Sequence, residues 1–336
     1  MKAIVVQSKQ KGRPLVWQEV PAPVYSDDEV LVDIHATALN RADLMQRAGN
    51  YPPPSGASDI LGLEMAGQIS AVGENVSGWQ VGDRVCALLP GGGYAEQVAA
   101  PQQMLMPIPA DWSYAQAAAM PEVFYTAFLN LFMEANLKAG ERVLLHGGAS
   151  GVGTAAIQLL KEAGNPVYVT AGTDEKTAYC LELGAKLAIN YKQEDFAEII
   201  KAHTGGAGVD VILDMVGANY LKRNVGLLGL RGRLVFIALL SGAKAEIDLG
   251  ALVGRRLRLT GSVLRSRSLA EKAAIKEAFM TRFWPLLESG LIQPVIDSLY
   301  PIEQANEAQQ RMAENRNIGK IVLQVRPVNL RFQIYD

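Results

Sequence analysis

The run Gly147-Gly148-Ala149-Ser150-Gly151-Val152-Gly153 leaves an apolar strand pattern and opens a helical one. That context suits a turn that cradles a dinucleotide. Glycine lets the backbone approach a diphosphate closely, and a helix start offers unpaired N–H donors at the positive end of its dipole. Read as G-x-G-x-x-G from Gly148, the middle position carries Ser150, whose hydroxyl can donate to phosphate but takes more room than glycine. The competing reading is a tight strand-to-helix turn that holds no ligand. About 20 residues further on, NAD enzymes place an acid that holds the adenosine ribose. Here the second strand runs into Ala171-Gly172-Thr173-Asp174-Glu175-Lys176, with no acid at its tip. Small residues followed by Lys176 leave room, and a cation, for a 2′-phosphate, which predicts NADPH. Asp174 and Glu175 are read as first-turn acids that complement a helix dipole. Lys176 has the alternative of an ordinary solvated helix lysine.

Metal chemistry finds little support. The two cysteines, Cys86 and Cys180, form no CxxC or Cys/His cluster, and His35, His146 and His203 lie in unrelated contexts. No metal site is expected.

These residues need elements to position them. At 336 residues the chain is long for one domain, and its 49% hydrophobic and 20% charged residues are those of a folded globular protein. In Glu29 to Leu39, Val30, Val32, Ile34, Ala36 and Ala38 share one side of a period-2 pattern. Short strands follow at Glu64 to Val72 and Val81 to Leu89, punctuated by Tyr51-Pro52-Pro53-Pro54 and Gly91-Gly92-Gly93. This half predicts an irregular β-barrel. From residue 122 six apolar strands recur about 20 to 25 residues apart: Arg142 to His146, Val167 to Thr170, Leu187 to Ile189, Val209 to Asp214, Leu234 to Ala238 and Leu257 to Thr260. Helical stretches such as Thr154 to Ala163 and Glu175 to Leu183 stand between them, each stopped by a glycine. Alternating β and α predicts a doubly wound parallel sheet. After residue 262 come one long helix, Leu269 to Glu288, an extended segment Ile292 to Tyr300, a short helix Ala305 to Ala313, and a last strand Lys320 to Val325. The economical assignment gives residues 1–121 and 262–336 to the barrel domain and 122–261 to the dinucleotide domain.

Net charge is -2, from 32 Lys plus Arg against 34 Asp plus Glu, which argues against a nucleic-acid partner. The longest uncharged run, Val143 to Leu160, is too rich in Gly, Ser and Thr to span a bilayer, and the N-terminus has no signal-peptide core. A cytoplasmic protein without a membrane partner is expected.

The run Gly62-Leu63-Glu64 through Val72-Gly73 to Gly82-Asp83-Arg84-Val85 matches G-x-E-x-x-G-x-x-x-x-V-G…G-D-x-V. Together with Gly140-Glu141, Leu144, Gly148-Ala149-Ser150-Gly151, Gly153, Gln158 and Lys161, it resembles the zinc-free medium-chain dehydrogenase/reductases of the quinone oxidoreductase group over nearly the whole chain. Ser150, Asn40 through Arg47, Leu88 through Gly93, Leu264 through Arg267 and Asn317 through Leu323 are similar to the tumour-suppressor-inducible branch of that group. The resemblance implies a Rossmann domain beside a GroES-like barrel, and a homodimer. It also implies that Thr126, Ser150, Gly151, Val152, Gly172, Lys176 and Tyr191 contact NADPH, with Lys176 and Tyr191 near the 2′-phosphate, and that Leu239, Val263 and Asn317 join them. Zinc alcohol dehydrogenases of the superfamily carry a cysteine ligand where this chain has Asn40 and a histidine ligand where it has Leu63.

Hydride transfer belongs to the cofactor, so such a protein mainly orients the nicotinamide and manages charge on the reduced oxygen. Asn40, at a strand end, is expected to orient the nicotinamide ribose or the substrate oxygen, with a plain turn residue as its alternative. Tyr51, on the proline-rich loop, is expected to donate to the developing oxyanion or else to form an aromatic wall. The activity implied is reduction of small quinones by NADPH. The alternatives are reduction of enones or alkenals, and a non-enzymatic NADPH-binding protein. Edge pairing through Arg256 to Leu264 would support the dimer.

Overall fold

The computed structural model describes residues 1–326. Its backbone divides into two compact units, one of residues 1–122, 268–273 and the described residues from 296 onward, the other of residues 123–267 and 274–295.

In the first unit β1 (Lys2–Val6) and β2 (Leu15–Glu19) form an antiparallel ribbon. β3 (Glu29–Ala38), β4 (Glu64–Val72), β5 (Arg84–Leu88), β6 (Gln97–Pro101) and β7 (Leu105–Pro107) build the main sheet. β3 organises it. Val30, Val32, Ile34, Ala36 and Ala38, the period-2 set, are all buried, and each large aliphatic among them contributes about 1.5–3 kcal/mol by leaving water. One edge of β3 takes β4, while β6 pairs with Glu29 to Asp33. The strand predicted over Val81 to Leu89 is shorter. Gly82 has φ +98° and the Asp83 carboxylate accepts the Gln80 amide at 2.9 Å, so a turn occupies its start.

The second unit holds β8 (Val143–His146), β9 (Val167–Ala171), β10 (Leu187–Asn190), β11 (Val209–Asp214), β12 (Leu228–Phe236) and β13 (Arg258–Gly261), in the order β10-β9-β8-β11-β12-β13. Every pairing is parallel. The order reverses at β8, which places the glycine turn after it at the switch point of a doubly wound sheet. β12 starts six residues earlier than the predicted Leu234 and stops at Phe236. Leu228 pairs with Val209 across a register shift, with Gly229, Gly232 and Arg231, the last at φ +59°, in the irregular stretch.

The helix Leu269–Glu288 has the predicted bounds. The barrel assignment of residues 262–336 takes in all of this helix, whereas residues 274–295 fall in the second unit. The reason is aromatic: Phe279 packs on Phe124, Tyr125 and Phe128, and Phe283 on Phe128 and Phe132. The chain then returns to the first unit through β14 (Ile296–Pro301) and β15 (Lys320–Gln324), where β15 runs antiparallel to β3 along Ala36 to Ala38. Ile302, Ala305, Ala308, Met312, Ile321 and Leu323 from this tail share a core with Ile4, Leu15, Leu39, Leu61 and Tyr94.

Candidate active site

In the second unit the glycine turn is built by close contacts. A Cβ on Gly153 would stand 2.4 Å from the carbonyl oxygens of both Gly147 and Gly148, so only glycine fits. Ser150 is the N-cap of the helix Gly151–Glu162 (φ −73°, ψ 168°), and its Oγ accepts the Gly153 amide at 3.0 Å. The hydroxyl hydrogen is not used in that bond and remains a donor. The amides of Gly151 and Val152 belong to the first helical turn, which has no intrahelical acceptor for them. Beneath the turn lies the buried Cys180, its Sγ 3.1 Å from where a Gly148 Cβ would stand. Burial pushes this thiol up to about 12, and Cys86, buried in β5, is raised further.

β9 delivers Gly172 beside the turn. The hydroxyl of Tyr191 lies 3.0 Å from where a Gly172 Cβ would stand, so the phenol covers this glycine. Thr173 caps the helix Asp174–Leu183, whose first turn carries Lys176. The Asp174 carboxylate is engaged sideways, accepting Asn190 Nδ2 at 2.6 Å and Gln193 Nε2 at 3.5 Å. Leu239, exposed, lies in a loop stitched to the residues after β11: the Leu240 amide donates to Met215 O and the Ser241 amide to Val216 O. Met215 Sδ in turn lies 2.9 Å from where a Gly147 Cβ would stand. Ser150, Gly151, Val152, Gly172, Lys176, Tyr191 and Leu239 therefore come from turns that follow the carboxyl ends of neighbouring strands. Val263 follows β13, the edge strand on that side of the sheet, and is exposed. Thr126 is buried in the helix Pro121–Phe128, its carbonyl accepting Asn130 Nδ2 at 2.7 Å. Asn317 belongs to the first unit, where its amide donates to Gly319 O at 2.7 Å.

Behind the turns runs a polar chain that pattern reading misses. His146 Nε2 meets Asn224 Oδ1 at 2.8 Å, His146 Nδ1 meets Thr170 Oγ1 at 3.0 Å, and Asn224 Nδ2 donates to Asp214 Oδ2 at 3.0 Å. Because the Asn224 nitrogen faces a carboxylate, its oxygen faces the ring. Nε2 then carries the proton, and Nδ1 accepts from the threonine. Burial holds the imidazole down to about 4, while burial lifts Asp214 to about 6 against the lowering pull of the Val216 and Gly217 amides and Asn224. Isolated polar residues at strand ends carry no spacing signal, so only their fully buried positions reveal them.

In the first unit, Asn40 closes β3 and caps the helix Arg41–Ala48. Its Nδ2 donates to Glu64 Oε1 at 2.8 Å and to Ala38 O at 3.4 Å, and its Oδ1 accepts Lys320 Nζ at 2.7 Å. Lys320 also donates to Leu39 O at 2.6 Å and pairs with Glu64 at 2.7 Å, with both side chains buried. Glu64 Oε2 accepts the Glu122 amide, and Asp43 accepts from the Asn40 and Gly62 amides and the Tyr94 hydroxyl. Burial lifts Asp43 to about 6, and burial together with the charge of Glu64 lifts Glu122 to about 8. The charged ends of apolar strands, Glu64 and Lys320, carry no sequence sign that they turn inward. Tyr51 is half-buried just past the left-handed Gly49 that ends the helix. A small apolar cavity of about 150 Å³ beside Leu88, Leu89 and Pro90 is lined by none of the candidate residues.

Two family models match, the alcohol dehydrogenase GroES-like domain over residues 26–110 and the zinc-binding dehydrogenase over residues 151–279. Quinone oxidoreductase of Sus scrofa is 33% identical over 310 residues, 91% of this chain and 92% of its own. The chain belongs to the medium-chain dehydrogenase/reductase family. This family member superposes on Escherichia coli quinone oxidoreductase complexed with NADPH at a TM-score of 0.85 with 30% identity, covering 96% of this chain and 99% of that one. The CurK enoyl reductase superposes at 0.85 with 27% identity, covering 96% and 98%. The chain is thus an oxidoreductase with a Rossmann-type parallel sheet and a GroES-like unit. One matching description names zinc, and the residues do not fit that ion. Glu64 is already neutralised by the Lys320 ammonium, Asn40 spends its amide on both, and among the described residues no group of three or more His, Cys, Asp or Glu could hold a metal.

Proposed function

We propose that this medium-chain dehydrogenase/reductase is an NADPH-dependent, zinc-independent quinone oxidoreductase of the cytoplasm. One observation carries the cofactor choice. Of the two acids in the opening turn of the helix after β9, Asp174 is held by Asn190 and Gln193, and Gly172 lies against Tyr191, which with Lys176 supplies the side-chain chemistry that suits a 2′-phosphate. An acid free to take both ribose hydroxyls would favour NADH instead. The similarity to quinone oxidoreductases from pig and Escherichia coli supports the substrate class.

Bound NADPH supplies the hydride. The amides of Gly151 and Val152 and the hydroxyl of Ser150 bind its diphosphate at the helix start. Lys176 and Tyr191 take the 2′-phosphate, and Thr126, Leu239, Val263 and Asn317 complete its contacts. Tyr51 donates a hydrogen bond to the oxygen that gains charge on reduction, and Asn40 orients a bound group. A quinone is electrophilic enough to accept hydride without a Lewis acid, which suits a chain with Asn40 and Leu63 where zinc relatives carry metal ligands. Two copies pair through the β13 edge to make a homodimer, without nucleic-acid or membrane partners.

Affinities for NADPH and NADH, measured side by side, test the cofactor: NADPH should bind at least tenfold tighter, and tighter NADH refutes the reading. Turnover of 1,4-naphthoquinone by Tyr51→Phe tests the donor, since unchanged turnover leaves Tyr51 as a wall. The similarity to an enoyl reductase favours a second reading, hydride delivery to the carbon of an enone. Product analysis with a quinone and an alkenal in parallel separates the two.

A further inference from the structure

The second unit carries a cation that its own chain leaves uncompensated. Arg142, Arg233 and Arg267 meet the carboxylates of Asp210, Glu141 and Glu134 in turn, and Arg255 spends its guanidinium on the carbonyls of Val225, Gly226 and Leu228. Arg223, in the helix Leu221–Leu227, has no such partner. Its guanidinium lies over two rings, 4.5 Å from the Phe196 centroid and 4.6 Å from that of Tyr220. Rings support the flat face of this group and leave its N–H edge free to bind. Among the described residues that edge meets no hydrogen-bond acceptor.

Two phenols share the patch. The Tyr220 ring stands edge-on to that of Tyr191, centroids 6.5 Å apart, and Tyr191 holds its hydroxyl over Gly172, just past β9. Neither hydroxyl has a hydrogen-bond partner among the described residues. Burial raises the Tyr220 phenol, Arg223 pulls it down, and Tyr191 and Asp214 add to the rise, so these three groups lie within electrostatic reach of one oxygen. Asp214 is already spent: its carboxylate accepts the Val216 and Gly217 amides and Asn224 Nδ2. Asp195, next to Phe196, accepts the Ala197 and Glu198 amides. The patch therefore offers one guanidinium and two hydroxyls, with the neighbouring carboxylates engaged elsewhere. Adenine, which has an amino donor of its own, matches so one-sided a set poorly. A phosphate monoester, an acceptor at every terminal oxygen and matched to the guanidinium fork, fits it. Arg282 also lies over two rings, Phe132 and Phe283, but neither carries a hydroxyl.

We propose that Arg223 and Tyr220 join Tyr191 in binding the 2′-phosphate of the dinucleotide, Arg223 as a charged partner and Tyr220 as a hydroxyl donor, and that both set the preference for NADPH over NADH. The inference rests on the NADPH reading above and adds two specificity-determining residues to it. Gly172, Tyr191, Phe196, Tyr220 and Arg223 all belong to the second unit, so the patch needs nothing from the first.

The test is calorimetric titration of the whole chain with NADPH, NADH and two fragments that differ in the phosphate alone, 2′,5′-ADP and 5′-AMP. Arg223→Met should weaken NADPH and 2′,5′-ADP about tenfold or more, the loss of a charge-assisted contact, and change NADH and 5′-AMP by less than about twofold. Arg223→Lys keeps the charge without the fork and should recover part of that loss. Tyr220→Phe keeps the ring beneath the guanidinium and removes only the hydroxyl, so NADPH should weaken about threefold and NADH hardly at all. Lys222→Met removes an exposed cation from the neighbouring position and should leave the ratio of the two affinities unchanged. A loss in Arg223→Met that is equal for both dinucleotides, no loss at all, or the same change of ratio in Lys222→Met overturns the proposal. If Arg223→Met does not fold, Tyr220→Phe decides, and an unchanged ratio there overturns it. The two readings fail differently. A wild type that holds NADH as tightly as NADPH takes down the cofactor choice and this inference together, whereas a preference for NADPH that survives in Arg223→Met removes the inference alone.

Discussion

In the first unit the polar groups buried at the end of β3 centre on ions: an ammonium, Lys320, against Glu64, with Asp43 alongside and the Asn40 amide between the pair. In the second unit the groups buried at the ends of β8, β9 and β11 are joined through neutral ones, Thr170, His146 and Asn224, to a single carboxylate, Asp214. Both arrangements fix loops that leave strand ends, and both satisfy nearly every donor and acceptor they bury. They differ in what a lost member leaves behind. Removing one ion strands its partner's full charge out of water, whereas removing a neutral link strands a dipole. The ionic arrangement also spans the sequence, since Lys320 comes from the last described strand and Asn40 from just past the third, while the neutral one is assembled from three neighbouring strands of one sheet and the helix Leu221–Leu227.

The comparison is sharpest when one member is deleted from each. Lys320→Met should destabilise the protein by about 3–5 kcal/mol, because it leaves the buried Glu64 carboxyl without its ionic partner. Urea melts should show it, and adding Glu64→Gln should recover most of the loss; a loss under about 1 kcal/mol in the single variant would mean that the pair is hydrated, contrary to its burial. Asn224→Leu, nearly the same volume, should cost about 2–3 kcal/mol by orphaning the His146 ring nitrogen and one Asp214 contact.

The third prediction uses pH. His146 falls from its ordinary 6.5 to about 4, so between those values the unfolded chain takes up a proton that the native chain refuses. Stability from this group rises with pH across that window, is complete above 6.5, and is lost as pH falls toward 4. Asp214, raised from 3.8 to about 6, works in the opposite sense: the native chain keeps its proton longer, and stability falls as pH rises through that range. The neutral network therefore offsets its own titration. His146→Gln removes the rising limb alone, so the stability gap between wild type and variant should widen by on the order of 2 kcal/mol from pH 4.5 to 6.5. A constant gap would show that the ring is not held neutral. Around the buried ion pair of the first unit, by contrast, Asp43 and Glu122 are both shifted upward.

The smallest effect lies outside both networks. Gly172→Ala would place a methyl 3.0 Å from the Tyr191 hydroxyl, which is exposed enough to give way. Stability should change by less than about 0.5 kcal/mol, while NADPH affinity falls severalfold as the phenol shifts. A change confined to stability would separate Tyr191 from cofactor binding.

The same contrast separates what the amino-acid sequence reveals from what only the fold brings together. Periodic features were legible: the inward set on β3, the parallel strands of the second unit, the helix Leu269–Glu288, and the glycine turn, whose spacing reports a backbone constraint. β12 was displaced because tertiary pairing with β11 overrides the two glycines in its first half. The return of most of the long helix to the second unit depends on aromatic contacts between residues more than a hundred positions apart, which no local pattern encodes. Asn40 was visible as a candidate by its place at a strand end, but the ion pair that its amide bridges was not, since that depends on Lys320 arriving from the far end of the chain. His146 and Asn224 look like any other polar residues until the fold buries them together.

The proposed reduction of quinones would place this chain among arylating agents, which attack thiolates first. This chain has two sulfhydryls, one inside β5 and one under the glycine turn, both shut away from solvent and both held in the protonated form across the physiological range. A catalyst so furnished offers its own reactants no nucleophile of that kind to consume, and should keep its activity through many turnovers in quinone concentrations that inactivate proteins with accessible cysteines.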